Sequence, residues 1–443
     1  MFGISQKKIM HMACCYALMV LAGTPVAYAA DEPLDLQESK ALLEGVRRDD
    51  FDAHFSYAKQ AMKERNAREA EWALRKMLEK DPSLDRVKLE LAVSLIPQGK
   101  LVEAKQLFEE VKAKNPPAAV VKNIDTMLAV TQKGLKPHTL AGGISTGINI
   151  STNANSAPGS GDITVLDTSI PLGAGARNTR DMQGFGALSV SHVYRVDINP
   201  KRLTMRWKTD LLEYHTKQGK LSNLDLGMHT IRTGPEFTLL NSGVKFGVYG
   251  GYSFLELNHR DYLKTPKGEY VLDLPINPAV ALKYSGSYEK RNYQNAPGIT
   301  TYTDRDGQAW QQNFGFNYVA TEDWILNAGM FVRSENAQKK YFENNQYGAN
   351  LGATYLISQE SFINANYGYR IFDYAANDPL ISTKVRQDEE QSVGLLVGRS
   401  FSIPESEQRV TLTAGYTVRD VHSNIQNYDY IDNRISTSFS LAF

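Results

Sequence analysis

Two different spacings of apolar residues divide this chain. From residue 36 to residue 131 apolar positions recur every three or four residues among Glu, Lys, Ala, Leu and Arg, and glycine is scarce, the pattern of amphipathic helices. Beyond Pro137 the spacing becomes two. In INANYGYRI, Ile363, Ala365, Tyr367, Tyr369 and Ile371 alternate with Asn364, Asn366, Gly368 and Arg370; in VTLTAGYTV, Val410, Leu412, Ala414, Tyr416 and Val418 alternate with Thr411, Thr413, Gly415 and Thr417. Such alternation puts apolar side chains on one face of a strand and polar ones on the other. Residues 133–137 then link a helical part to a β part.

The helical part repeats itself. Sliding Asp81-Pro82 onto Asn115-Pro116 also lays Ala70 on Ala104, Leu74 on Phe108, Met77 on Val111, and Tyr57, Ala58 and Ala61 on Leu91, Ala92 and Leu95. A period of about 34 residues, with small residues where paired helices approach and a proline closing the second helix, is that of the tetratricopeptide repeat. Two repeats, 51–84 and 85–118, are expected between flanking helices at 36–48 and 118–131 that cover their apolar ends. Arrays of this kind present a concave groove. Here Phe55, Lys59, Met62, Arg86, Leu89 and Val93 are the expected lining, suited to an extended peptide or a helix.

The β part reads as fourteen alternating runs, the first at 140–153, the fifth at 244–259, the sixth at 266–275 and the last at 428–443. The sixth is the least regular, because Pro275 and Pro278 interrupt a ladder. Many runs exceed ordinary soluble strands and reach the roughly 9 to 11 residues that cross a bilayer, and aromatic residues gather near their ends, as interfacial girdles do. Connections after even-numbered runs are mostly tight: Asn199-Pro200, Asn241-Ser242-Gly243, Ala320-Thr321-Glu322 and Ser358-Gln359-Glu360. Several after odd-numbered runs, 154–183, 296–306 and 376–383, are long. Short periplasmic turns and longer external loops are the habit of outer-membrane barrels. The expected fold is therefore a tetratricopeptide-repeat helical domain (30–136), in the periplasm, followed by a 14-stranded antiparallel outer-membrane β-barrel (137–443). The inner wall would be hydrated by Asn313, Asn317, Asn350, Asn364, Asn366 and Arg370. The chain closes on RISTSFSLAF, where Phe439, Leu441 and Phe443 share a face with Ile435. A terminal aromatic there resembles the signal by which such barrels are recognised for assembly.

Residues 1–29 carry Lys7 and Lys8, an apolar core over 12–22 and the small-x-small sequence Ala27-Tyr28-Ala29, the layout of an export signal removed after Ala29. Cys14 and Cys15 leave with it, so disulfides, thiolate metal sites and a cysteine nucleophile are excluded from the mature protein. Formal net charge is zero, which argues against nucleic acid as a partner. The histidines are scattered without metal-ligand spacing, no Gly-x-Ser-x-Gly stretch is present and no triad is singled out. No enzyme, cofactor or metal is expected. The acidic run QDEEQ (387–391) is expected as a solvated rim.

An export signal, a short repeat array, an even-stranded barrel ending in Phe and the stretch NISTNANSAP after the first strand together resemble the surface lipoprotein assembly modulator family, the type XI secretion outer-membrane translocators. Asn153, Asn155, Ala157 and Pro158 carry the local match to that family's Asn-x-Asn…Ala-Pro stretch. The resemblance implies that the barrel moves client proteins, surface lipoproteins or soluble haem-binding proteins, from the periplasm to the cell surface or medium. It also implies that the helical domain engages them, with the barrel assembly machinery, periplasmic chaperones and outer-membrane lipid as further partners. The competing readings are a polysaccharide exporter, which also joins such repeats to a barrel, and a passive porin.

Overall fold

The structure, a computed structural model, describes residues 36–443 except 46, 65, 174–175, 197–202, 240–241, 404–405 and 407. The expected export signal with its cysteines and cleavage point, and the Asn199-Pro200 turn, lie outside the described residues. Two compact units meet in sequence at Leu135 and Lys136.

The first unit has six described helices, α1 (Leu36–Glu44), α2 (Phe51–Lys63), α3 (Ala67–Lys80), α4 (Asp85–Leu95), α5 (Leu101–Lys112) and α6 (Ala118–Leu135). Its core shows why the sequence repeats. Ala70 and Ala104 are fully buried, and Leu74 with Phe108, and Met77 with Val111, occupy matching buried positions. Alanines let the helices of each pair approach, and the larger residues fill the layer between pairs. Local chemistry sets the boundaries. Asp50 caps α2 by accepting from the Ala53 amide at 2.9 Å, Asp81 accepts from the Ser83 amide at 2.9 Å in the α3–α4 turn, and Asn115 takes a left-handed φ of 52° after α5.

The flanking helices differ from expectation at both ends: α1 stops at Glu44, and α6 runs on to Leu135. The linker therefore shortens to Lys136 and Pro137. Gly134 falls in the expected linker but lies within α6, and Leu101 Cδ1 is 2.5 Å from where its β-carbon would stand. The glycine is a contact point for α5 rather than a stop.

The second unit is a closed antiparallel barrel of fourteen strands: β1 (His138–Ser151), β4 (Asp181–Val196), β5 (Leu203–Gln218), β6 (Leu226–Leu239), β7 (Lys245–Leu257), β8 (Arg260–Pro275), β9 (Val280–Tyr293), β10 (Gly307–Val319), β11 (Trp324–Glu335), β12 (Asn344–Leu356), β13 (Ser361–Tyr374), β14 (Gln387–Ser402), β15 (Arg409–Ser423) and β16 (Tyr430–Ala442). Two short strands, β2 (Asp162–Val165) and β3 (Thr168–Pro171), form a separate hairpin within the first long connection. β1 closes the ring on β16 from Gly143 opposite Ala442 to Ser151 opposite Arg434. Closure leaves no edge strand unpaired.

Exposed apolar side chains line one face of barrel strands around the ring. Leu140, Ile144 and Ile148 on β1, Phe246, Val248 and Tyr252 on β7, Val393, Leu395 and Val397 on β14, and Ile431, Ile435 and Phe439 on β16 all point outward. Only lipid removes such a band from water, so the barrel is a transmembrane one. At the end shared by the start of β1 and the C-terminus, connections 276–279, 320–323 and 357–360 are short, while the opposite end carries 152–180, 294–306, 336–343 and 375–386. One connection at the long-loop end breaks the pattern. β8 begins at Arg260 rather than 266, and Asn258 and His259, both at positive φ (51° and 58°), turn the chain in two residues. This is the hairpin conformation usually signalled by Asn-Gly; with His in the second place the signal is masked, and Pro266 hides the strand behind it. That proline falls where β8 and β9 pair on either side of Thr265 and Pro266 but not at them.

Candidate functional site

The inner wall follows from the register. With Trp310 and Phe314 outward on β10, Trp324 and Leu326 on β11, and Leu351 and Tyr355 on β12, the intervening positions face the lumen. Pairing then puts Asn313, Asn317, Asn350, Asn364, Asn366 and Arg370 on that inner face. Asn350, Asn366 and Arg370 line one recess of about 280 Å³ together with Phe331 and Glu390, whereas Asn313 and Asn317 lie apart on β10. Asn364 donates to Thr354 Oγ1 at 2.8 Å, and the Arg370 guanidinium lies 5.3 and 5.6 Å from the Phe331 and Phe372 rings.

The wall has two chemically distinct sides. Across β5 to β11 charges interlock: Arg232 donates to Asp210 at 2.8 Å and reaches past Gly251 to Glu269 at 3.3 Å, Lys267 pairs with Glu269 at 2.7 Å, and Glu236 accepts from Tyr249 at 3.1 Å and pairs with Arg206. Across β14 to β16 and β1, away from the long-loop end, hydroxyls pair instead: Ser400 with Thr411 at 2.9 Å, Thr413 with Ser438 at 2.7 Å and Ser145 with Ser440 at 2.8 Å. Sequence reasoning singled out the asparagines and missed the ion pairs, although RWKTDL, with Arg206, Lys208 and Asp210 at period two, carries the signal.

The acidic run 387–391 is solvated only in part. Asp388 is buried and pairs with Arg386 at 2.6 Å, and Glu390 on the inner face pairs with Arg419 at 2.8 Å. The run begins β14, so alternation turns Asp388 and Glu390 inward and leaves Gln387, Glu389 and Gln391 exposed.

At the long-loop end, Asn153 is buried. Its side chain accepts from the Ala157 amide at 3.0 Å and donates to the Ala157 carbonyl at 2.8 Å, while its own amide donates to Asp432 Oδ1 at 3.1 Å. Asn155 ties the outgoing to the returning limb, donating to Arg177 O and accepting from the Thr179 amide, both at 2.9 Å. Pro158 is buried beside them. Beyond this base the β2–β3 hairpin leans on two neighbouring loops. Leu166 and Asp167 amides donate to Leu380 and Ile381 carbonyls at 3.1 and 3.0 Å, and Asn427 donates to Thr164 O at 2.9 Å. The Ser382 hydroxyl and the Thr383 amide on Asp167 hold its carboxyl below the usual carboxylate range.

In the helical unit, the six residues expected to line a groove all lie on α2 and α4, the first helix of each repeat. The Lys59 ammonium and the Arg86 guanidinium sit 4.9 and 5.0 Å from the Phe55 ring, and Phe55, Met62, Leu89 and Val93 are half-buried against the core. Beneath, burial pushes the Glu71 carboxyl up, but hydrogen bonds from Lys100 at 2.6 Å and Arg75 at 2.9 Å outweigh it and hold the group below its ordinary value. At the chain end, Phe439 and Phe443 are exposed on the outer face, and the Phe443 ring lies 2.6 Å from where a β-carbon on Gly142 would stand.

Sequence spacing gave no metal set, but the β5–β6 register brings together Glu213, His215 and His229, whose ligand atoms lie within 4.8 Å of one another. Cross-strand neighbours are invisible to linear spacing.

Comparison with known proteins adds one sequence family. Residues 61–124 match the tetratricopeptide repeat. No curated protein matches the chain. Among solved structures it resembles the outer membrane channel DcaP of Acinetobacter baumannii (10% identity, TM-score 0.38, covering 69% of this chain and 97% of that one). It also resembles in-vitro folded OmpT, an outer membrane protein of Vibrio cholerae (11%, 0.39, 69% and 97%), and a Pseudomonas aeruginosa FadL homologue (12%, 0.34, 70% and 91%). The barrel itself is established by its closed strand register.

Proposed function

We propose that this protein is an outer-membrane translocator that carries client proteins, surface lipoproteins or soluble haem-binding proteins, from the periplasm to the cell surface. The helical unit engages the client in the periplasm and the barrel is the conduit. The observation that carries the reading is the joining, in one chain, of a tetratricopeptide-repeat unit bearing the Phe55, Lys59 and Arg86 cluster to a closed barrel with a polar inner wall. A passive channel has no use for a peptide-binding groove. The half-buried Phe55 ring between two cations suits a client segment with apolar and acidic character. No ATP is available in the periplasm, so folding of the client outside, or its release from a chaperone, supplies the free energy.

The hydroxyl-lined side of the wall favours a second reading, polysaccharide export, because paired Ser and Thr hydroxyls match sugar hydroxyls. Such exporters usually carry much longer repeat arrays. Co-expression with a small lipoprotein or haem-binding protein encoded beside this gene separates the two. Client exposure on intact cells, scored by antibody or protease, should require the barrel; equal exposure without it ends the translocator reading, and export of polysaccharide in its place supports the second.

A further inference from the structure

We infer that Glu213, His215 and His229 form a binding site for a divalent transition-metal ion of the zinc type on the outer face of the barrel, at its long-loop end. Glu213 and His215 are two apart on β5 and so share a face, and His229 on β6 stands directly opposite Glu213. Glu213 Oε2 is central: His229 Nδ1 is hydrogen-bonded to it and His215 Nε2 is 3.9 Å away. The two imidazoles lie 5.2 Å apart at 72° to each other, edge to face rather than stacked, and one nitrogen of each lies with the carboxylate oxygen in a set whose members are all within 4.8 Å of one another. Two imidazoles and a carboxylate are a standard donor set for zinc, with open positions left for water. Tetrahedral zinc requires donors about 3.3 Å apart, a contraction that side-chain rotation supplies.

The surroundings are built to leave these groups accessible. Gly227 stands opposite His215, and its missing side chain leaves room that His215 Nδ1 and Glu256 Oε2 enter, at 3.4 and 3.1 Å from where a β-carbon would be. His229 is held by a stacked contact with Phe254 at 5.7 Å. A cleft of about 650 Å³ opens beside His215 over Gly184 and Gly186, which carry no side chains into it. The level is also telling. On β6 the outward residue one step from His229 is Ile231, and on β7 Phe254 precedes Glu256 outward; the cluster therefore sits where the apolar band gives way to polar residues. A lipid-facing Glu-His-His set in the hydrocarbon would be costly, but at the interface it is reachable by ions in water. A bound ion would clasp β5 to β6 beneath the rim.

The test uses the full mature chain, purified in detergent without a polyhistidine tag, with assembly checked by heat-modifiable migration. Zinc titration by calorimetry should show one ion per chain. H229A and E213Q should each weaken it by at least about tenfold, whereas H138A/H192A, which removes a histidine pair elsewhere on the outer face, should leave it unchanged. Absence of stoichiometric zinc binding, equal binding by an H215A/H229A chain, or loss of binding only with His138 and His192 would each overturn the site. Should an alanine variant fail to assemble, H215Q and H229Q keep the side-chain bulk and decide the matter.

Discussion

Individual side chains here act mainly by satisfying buried polar groups. Glu71 is the clearest case, since it alone gathers Lys100 and Arg75, and Arg75 reaches on to Glu103 at 2.7 Å. Its carboxyl is held below the ordinary glutamate value, so the stability it adds is fully present above that ordinary value and is lost as pH falls through the depressed one. E71Q should therefore lower the stability of the helical unit by about 1 to 2 kcal/mol at neutral pH. The difference from wild type should fade in acid, as hydrogen exchange on α3 and α5 of the intact chain would report. Asn153 plays the same part in the first long loop. N153A removes both side-chain hydrogen bonds to Ala157, and should leave an assembled barrel whose loop 152–180 is cut faster by added protease. Unchanged cleavage would mean that the Asn155 bonds, the amide bond to Asp432 and the contacts with 375–386 and 424–429 hold the loop without the Asn153 side chain.

At the level of elements, aromatic rings laid on glycines of the next strand tune the inner wall. Phe331 on β11 pairs with Gly348 on β12, and its ring covers the glycine so closely that a β-carbon there would collide with it. Phe362 does the same to Gly398. Such pairs fill the pleat and fix the register. G348V should displace the Phe331 ring, loosen its contact with Arg370, and slow assembly, seen as a smaller heat-modifiable fraction at early times after refolding is started. Assembly at the wild-type rate would show that the ring has another place to go. The loops obey the same economy of local chemistry: Asn258 and His259 make a two-residue hairpin because both tolerate a left-handed backbone better than bulky or branched residues do.

For the whole molecule, the division of labour makes a prediction of its own. Removing residues 36–131 should leave a barrel that still assembles and conducts ions in planar bilayers, because its strands and their closure lie within Lys136–Phe443, while client exposure on cells falls. Failure of assembly in that variant would contradict the separation of the two units. The exposed Phe439 and Phe443 lie on the outer face of that barrel, beside the start of β1.

The sequence by itself determined the two periods, the repeat with its buried Ala70 and Ala104, the alternation of the strands and the short and long connections, because each of these is written in residues near one another in the chain. It also determined which residues of β10 to β13 share a face, since a strand's period of two needs no partner. Tertiary structure alone decided what stands opposite what. Pairing of β5 with β6 brought His229 to Glu213, closure of β1 on β16 brought Asp432 to Asn153, and a packed leucine rather than a helix stop explained Gly134. Register is a property of pairs of strands, and no linear spacing within one strand encodes it.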